Sequence, residues 1–561
     1  MWAIAAIKRT RTYRTLNHWR HLLLNREYRE MDRQAWTEFE QFCHRDGGVG
    51  VRQNVFPRSG NRRTALIVRN ISVPYTKIEV LIAKALQMAG HRTVVSGRRD
   101  YAFLRYDMLA GNHTSLDYYS SGDPEWVSRQ ADQLGGLRDW LDLEYCGVHV
   151  GRFVIASALR SLRIGQLDFA DPSIRARLER MLGASVRYAI AGMRLLEAVK
   201  PDCVLFMDRG YSGTGEVCDL AIAQGIDTLT WNLGYKSDRL VFKRYHSGNQ
   251  RDHPLTPSSE TWRQLRAIPW TSQLGDQIRS ELLECYENQD WFSVVGTQFG
   301  KRIASGDEVR DRLSLAADRK VAVVFPHILW DGSFFFGEDL FDDYTEWLIE
   351  TLRAASGNQR VQWVVKLHPA HSTKARQHND PSKPAELEVI ERVFGKLPAH
   401  VKLVFPDNEL STYSLFGVSD YVVTVRGTVG IEAALFGIPV VTAGTGRYDR
   451  RGFTLDSSTR QEYLQKLAEL EQYPRLSAGQ VELAERYAYG VFLCRQLALS
   501  SASLNYERDG VATPRVKVHC QTRQEWLSAP DMLLLAGWIA DRKAEDMLVP
   551  NCVDRSETTR Q

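Results

Sequence analysis

From residue 62 onward the chain alternates short apolar runs with stretches of helical period. Arg62 to Asn70 reads Arg-Arg-Thr-Ala-Leu-Ile-Val-Arg-Asn, Ile78 to Ala89 repeats apolar residues at helical spacing and stops at Gly90, and His91 to Ser96 is apolar again. A short apolar run between polar flanks predicts a buried strand, and a periodic segment ending at glycine predicts a capped helix. Strand–helix–strand is the unit of a parallel sheet. Residues 110–200 read as mostly helical, with Leu159, Leu162, Leu178, Met181, Leu182, Leu195 and Leu196 on recurring faces. A second unit begins with the strand Asp202 to Asp208, followed by the glycine-rich loop Arg209 to Glu216, a helix to Gln224 and a strand over Thr228 to Trp231. Residues 250–310 are polar, without strand signals, and read as a helical or looped connection.

The second half repeats the alternation more clearly. Strands are expected at Lys320 to Phe325, Gln362 to Lys366, Val401 to Phe405, Asp420 to Val425 and Val440 to Ala443. Helices are expected from about Asp339 to Ala355, after Leu410, and from Gly427 through Phe436. This predicts an α/β protein with two doubly wound domains facing a cleft and functional loops at the carboxyl ends of strands. The division expected is a basic helical segment over 1–60, a first α/β domain over 61–260 and a connection over 261–315. A second α/β domain over 316–480 and C-terminal helices and a tail over 481–561 complete it.

Composition narrows the class. The 561 residues suit two large domains, and 72 basic against 68 acidic residues leave a net charge of +4, too small for a global nucleic-acid field. The eight cysteines form no C-x-x-C pair, which fits reduced thiols in a cytoplasmic protein. The longest apolar run, Met532 to Ala540, has nine residues, half of what a membrane span needs. Residues 1–35 hold eight basic and three acidic residues interleaved with Trp2, Tyr13 and Trp19. That pattern fits either an ordinary solvated helix or peripheral contact with an anionic membrane, which places the chain in the cytoplasm or at the inner face of the cytoplasmic membrane.

Three segments carry candidate chemistry. In Thr424-Val-Arg-Gly-Thr-Val-Gly-Ile-Glu432 a strand runs through a small-residue turn into a helix, an arrangement whose free amides suit a phosphate. Gly427, Thr428 and Val429 form the turn, Arg426 adds charge, and Glu432 lies one turn on, where a carboxylate can accept from ribose hydroxyls. In Trp363-Val-Val-Lys-Leu-His-Pro369, Lys366 and His368 end a strand at the cleft rim, and imidazole can donate to a phosphate or protonate a leaving oxygen. In Phe325-Pro-His-Ile-Leu-Trp-Asp-Gly-Ser333, Asp331 can act as a base on an acceptor hydroxyl or as a nucleophile on an anomeric carbon. Asp208, Tyr211 and Glu216 flank the glycine-rich loop of the first domain and are candidates on the acceptor side. Each segment is also compatible with a plain turn that binds nothing. The sequence holds no Asp-x-Asp metal clamp, no His-Glu-x-x-His and no Gly-x-Ser-x-Gly, so no metal or other cofactor is expected.

These segments resemble the capsule-polysaccharide biosynthesis glycosyltransferases, the group that includes bacterial Kdo transferases with a GT-B fold. The resemblance lies in Trp330-Asp-Gly-Ser333, Tyr344-Thr-Glu-Trp-Leu348, Val364-Val-Lys-Leu-His-Pro369, Thr428 through Val441 and Ala443-Gly-Thr-Gly-Arg-Tyr-Asp449. It implies catalysis by Asp331, phosphate contact by His368 and nucleotide contact by Thr428 and Glu432. It further implies a nucleotide-sugar donor, CMP-linked Kdo or a related sugar acid, and a surface glycan or glycolipid acceptor. Arg426-Gly427 departs from the small hydroxyl residues of that family. Two other readings remain open at this level: a polyol-phosphate transferase like the teichoic-acid polymerases, and a non-catalytic glycan-binding assembly subunit.

Overall fold

The apolar runs of the first half become β1 (Arg63–Val68), β2 (His91–Gly97), β3 (Asn112–Ser115), β4 (Cys203–Phe206), β5 (Asp227–Leu233) and β6 (Arg239–Tyr245). Those of the second become β7 (Val321–Val324), β8 (Gln362–Lys366), β9 (Val401–Val404), β10 (Tyr421–Thr424) and β11 (Val440–Thr442). This is a computed structural model, which describes residues 26–43, 50–56, 63–69, 72–97, 101–115, 122–377, 383–509 and 512–552. Most of the basic segment 1–35 lies outside the described residues; its last part enters the helix Arg26–Gln41.

With the two-residue strand β12 (Leu497–Ala498), the first sheet has the order β12-β6-β5-β4-β1-β2-β3, and the second has β11-β10-β7-β8-β9. The second sheet is parallel throughout, and the first is parallel from β5 to β3. Chain order reverses between β4 and β1 in one sheet and between β10 and β7 in the other. At such reversals the loops after adjacent strands splay apart and leave a crevice at the carboxyl ends. The fold is therefore the pair of Rossmann-like domains of the GT-B class. The strands β7, β8, β10 and β11 of the second sheet are buried on both faces, as their largely apolar runs require, whereas the edge strand β9 is partly exposed.

The connection after residue 258 forms the helices Ser259–Ala267, Ser272–Glu287 and Gly306–Leu313. Trp262, Leu274, Ile278 and Leu282 share the core of the second domain with Val321, Val364 and Val422. One core runs between the domains: Val154 and Leu159 of the helix Val150–Leu162 pack in the same cluster as Leu329, Trp330, Phe334 and Trp347. The approach is close enough that a Cβ on Gly165 would lie 2.6 Å from that of Leu329.

The C-terminal part differs from the expected helices and tail. After the helix Ala478–Tyr489, β12 joins the edge of the first sheet antiparallel to β6, and β13 (Ala502–Tyr506) pairs with β14 (Pro514–Val518) as a hairpin. Trp526, Met532, Leu535 and Trp538 then share a core with Ile78, Leu81 and Phe242 of the first domain. The apolar run Met532 to Ala540 lies in the helix Pro530–Asp541, which turns Met532, Leu535, Ala536, Trp538 and Ile539 inward and leaves Leu533 exposed. The hairpin escaped prediction because β13 and β14 are short, half exposed and interrupt their apolar residues with polar ones instead of forming apolar runs.

A buried ion cluster ties the tail to the first domain. Asp546 Oδ1 lies 3.1 Å from Lys243 Nζ of β6 and 2.8 Å from Arg495 Nη2, while its other oxygen accepts the Ser258 N–H at 2.6 Å. Burial pushes the Asp546 carboxyl up, but Arg495 and Lys243 outweigh it and hold the group at about 2. Removing one member strands opposite charges in the interior. Asp546→Ala is expected to cost about 3 kcal/mol or more, read as a lowered denaturation midpoint at pH 7. Because the folded carboxyl titrates below its unfolded value of about 3.9, the gap between wild type and variant shrinks as pH falls from 4 towards 2. A loss under about 1 kcal/mol at pH 7 would contradict the role given to this cluster.

Candidate active site

The loops after β4, β7, β8 and β10 meet around a cavity of about 570 Å³. Among the residues expected from the sequence, Asp208, Tyr211, Asp331, Lys366, His368, Gly427, Thr428, Val429 and Glu432 all line it. Arg426 and Glu216 do not.

Asp331 sits where the domains touch. Tyr211 of the first domain donates its hydroxyl to Asp331 Oδ1 at 2.8 Å and accepts the Gly332 N–H at 3.1 Å. Lys374, from the helix Ala370–Gln377, donates to Asp331 Oδ2. Arg160 stacks over the Tyr211 ring at 4.3 Å and reaches Asp208 at 3.5 Å. Burial alone would raise the Asp331 carboxyl, but Lys374 and Arg160, with the Tyr211 hydroxyl, bring it down to about 2. Asp331 is therefore ionised throughout the neutral range. Gly210 lets the first-domain loop reach this position, since a Cβ there would lie 2.2 Å from the Phe335 ring.

His368 is oriented by its own loop. The Ala370 N–H donates to Nδ1 at 3.2 Å, so the neutral ring carries its proton on Nε2. Burial, with His371 and Lys374 nearby, keeps this imidazole well below its usual range. His327, also on the cavity, accepts the Arg426 N–H on Nε2 at 3.2 Å and stacks on Tyr344, with burial and Arg426 holding it near 3. His253 is likewise depressed by burial and by Arg447, Arg426 and Arg209. Lys366 ends β8 at 2% exposure, its Nζ buried without a hydrogen-bond partner among the described residues, and burial with nearby Lys301 lowers it to about 7. The cavity is thus lined by neutral imidazoles and an unpaired amine whose protonation an anion would favour.

In the turn after β10, the amides of Gly430 and Ile431 are used by Gly427 O and Thr428 O. Those of Thr428 and Val429 have no partner among the described residues. Arg447 lines the same end and donates to Arg426 O at 3.1 Å. Arg426 itself turns away from the cavity and is paired with Asp339 and the carbonyls of Phe336 and Glu338. Its charge is absorbed in holding the 336–339 segment. Glu216 is fully buried behind the first-domain loop, accepting from Ser185, Ser212 and the Gly213 N–H, and burial raises it to about 7. It braces the loop that carries Tyr211 and does not face the cavity.

Glu432 takes the Tyr286 hydroxyl at 2.6 Å, and burial raises its carboxyl to about 7 in spite of that bond. Tyr286, His253, His327, Arg160, Lys374 and Arg447 were not singled out from the sequence. His327 and Arg447 lie inside motifs already quoted, whereas Arg160 and Lys374 lie outside them.

A carboxyl titrating higher in the folded than in the unfolded chain costs stability as pH rises from about 4.5 to 7. Glu432→Gln keeps the shape and the Tyr286 bond without that cost. The variant is expected to gain on wild type by up to about 3 kcal/mol at pH 8, and the gain should vanish near pH 4.5, as read by thermal unfolding across pH. A difference independent of pH would contradict this assignment.

Comparison with known proteins adds to this geometry. The KpsC beta Kdo 2,4 transferase of Thermosulfurimonas dismutans is 16% identical over 56% of this chain and 84% of its own, at a TM-score of 0.32. The KpsC beta Kdo 2,7 transferase from the same organism is 16% identical over 58% and 85%, at 0.33. The UDP-GlcNAc 2-epimerase of Neisseria meningitidis bound to UDP-GlcNAc is 13% identical over 76% and 95%, at 0.27. None of the three reaches a TM-score of 0.5, so the fold assignment stands on strand order and topology. No curated protein matches the chain. Residues 310–476 match the family described as capsule polysaccharide biosynthesis protein, and this segment carries Asp331, Lys366, His368, Thr428 and Glu432.

Proposed function

We propose that the chain is a glycosyltransferase of surface-polysaccharide synthesis, moving a sugar from a nucleotide-activated donor to a glycan or glycolipid acceptor. The observation that carries this reading is the meeting of an ionised Asp331, the His368 Nε2–H and the free amides of Thr428 and Val429 on one interdomain cavity. The match of residues 310–476 to a capsule-biosynthesis family supports it.

In this reading the donor's phosphate lies against Thr428, Val429, Arg447 and His368, with the ribose towards Glu432. The acceptor enters past Asp208 and Tyr211. The acceptor hydroxyl gives its proton to Asp331 as its oxygen bonds to the anomeric carbon. The bond from that carbon to the phosphate oxygen breaks, and the electron pair stays on the phosphate. Donors aimed at that oxygen stabilise the charge where it develops. Side-chain cations and amides carry the role that a divalent ion plays in metal-dependent transferases. A 2-keto sugar acid such as Kdo, linked to CMP, is the donor favoured by the sequence motifs. The basic segment 1–35 would hold the chain at the inner face of the cytoplasmic membrane, where a glycolipid acceptor resides.

Two measurements test this. In a thermal-shift panel of CMP, UDP, GDP, dTDP and CDP-glycerol, a bound ligand at 100 times its Kd adds about 2.7 kcal/mol. A selective shift with CMP, lost in Glu432→Ala, is expected. A shift with CDP-glycerol alone would favour the polyol-phosphate reaction, and no shift with any nucleotide would overturn the transferase reading. His368→Ala is expected to lower turnover by about 100-fold or more; near-normal turnover would remove His368 from the chemistry.

A further inference from the structure

A second cavity of about 300 Å³ adjoins the Asp331 loop, lined in part by Trp330, Lys374, Arg163, Lys383 and Phe405. The partition between the two cavities is an ion pair. Asp331 lines the first, Lys374 lines the second, and the two are bonded to each other. Trp330, the residue before Asp331, lies under the Lys374 ammonium at 4.7 Å.

The lining has a definite chemistry. Three cations, Arg163, Lys374 and Lys383, and one carboxylate, Asp407, line it, and Lys383 also pairs with Glu391 at 3.0 Å. Phe405, 45% exposed, also lines the cavity. Cations beside an accessible aromatic suit a sugar ring that bears an anionic group. The helix that carries Lys374 is fixed from behind: His371 Nε2 lies 2.6 Å from Glu386 Oε2, and Glu386 Oε1 accepts the Leu329 N–H at 3.3 Å. The backbones of the Asp331 loop and the Lys374 helix are thereby held together, so the side chain of Lys374 is the part that can exchange partners.

We infer that this second cavity is an acceptor subsite for a carboxylate-bearing saccharide unit, and that Lys374 reads the carboxylate by exchanging Asp331 for it. The inference rests on the reading of Asp331 as proton acceptor. It resolves a conflict within that reading. While Lys374 and Arg160 hold Asp331, its carboxylate is a poor base for an acceptor hydroxyl. An acceptor carboxylate that draws Lys374 into the second cavity frees Asp331 Oδ2 when the acceptor is in place. The base is then strongest in the complex that needs it, and idle attack by water on the donor is disfavoured without acceptor.

The test is calorimetric titration of the full chain with tetragalacturonate and with its tetramethyl ester, the same saccharide without charge. The acid is expected to bind about tenfold or more tighter than the ester. Lys383→Ser/Phe405→Ala and Lys374→Met are each expected to weaken the acid about tenfold, with Lys374→Met leaving the ester unchanged. Equal affinity of acid and ester, or acid binding indifferent to both variants, would overturn the inference. So would binding to phosphatidylglycerol vesicles that Lys383→Ser/Phe405→Ala abolishes while tetragalacturonate fails to bind, which would assign the cavity to lipid. Nucleotide titrations on the same samples separate the two readings. Nucleotide binding without acid binding removes the subsite and keeps the transferase, whereas acid binding without any nucleotide binding removes the transferase.

Discussion

The Asp331 carboxylate is held from both sides of the cleft at once, by the Tyr211 hydroxyl of the first domain and the Lys374 ammonium of the second. Much of the surrounding structure serves that contact. The Asp331 loop is packed from below by Leu329, Trp330 and Phe334, in a core shared with the first-domain helix Val150–Leu162. The Tyr211 loop is braced by the buried Glu216. A close-packed core of this kind has discrete arrangements, so the geometry of the carboxylate and the relative placement of the domains are set together. Separating the domains would take Tyr211 away and leave Asp331 with Lys374.

Around this carboxylate the cavity is poor in compensating negative charge. Three histidines are kept neutral by burial and by neighbouring cations, the Lys366 Nζ has no hydrogen-bond partner among the described residues, and burial raises the Glu432 carboxyl to about 7. An anion entering such a site gains hydrogen bonds already aimed at it and raises the proton affinity of the groups around it. This electrostatic incompleteness fits a nucleotide phosphate, and it lies in the segment that matches a capsule-biosynthesis family.

Most strands were legible because buried parallel strands are nearly continuous apolar runs, and the loops after β7, β8 and β10 were legible because functional groups collect at the carboxyl ends of such strands. What the sequence hid is tertiary. Arg160 and Lys374 look like ordinary solvated charges on helices until the domain contact brings them to Tyr211 and Asp331. Arg426 looked available beside the phosphate turn, but Asp339, distant in sequence, consumes its charge. Glu216 stood in a loop that does reach the cavity, yet two serines and an amide draw its side chain inward. The return of the C-terminal part to the first sheet was hidden for another reason. Its strand β12 has two residues, and its anchor, Asp546, acquires meaning only opposite Lys243 and Arg495.

The most direct test of the central claim is a crystal structure of the full chain grown with the nucleotide that stabilises it. The account predicts the donor-side phosphorus in the interdomain cavity, within about 4–5 Å of both the His368 Nε2 and the Thr428 amide nitrogen, as hydrogen bonds from both to phosphate oxygens require. A nucleotide seated elsewhere, with its phosphate away from His368 and Thr428, would contradict it.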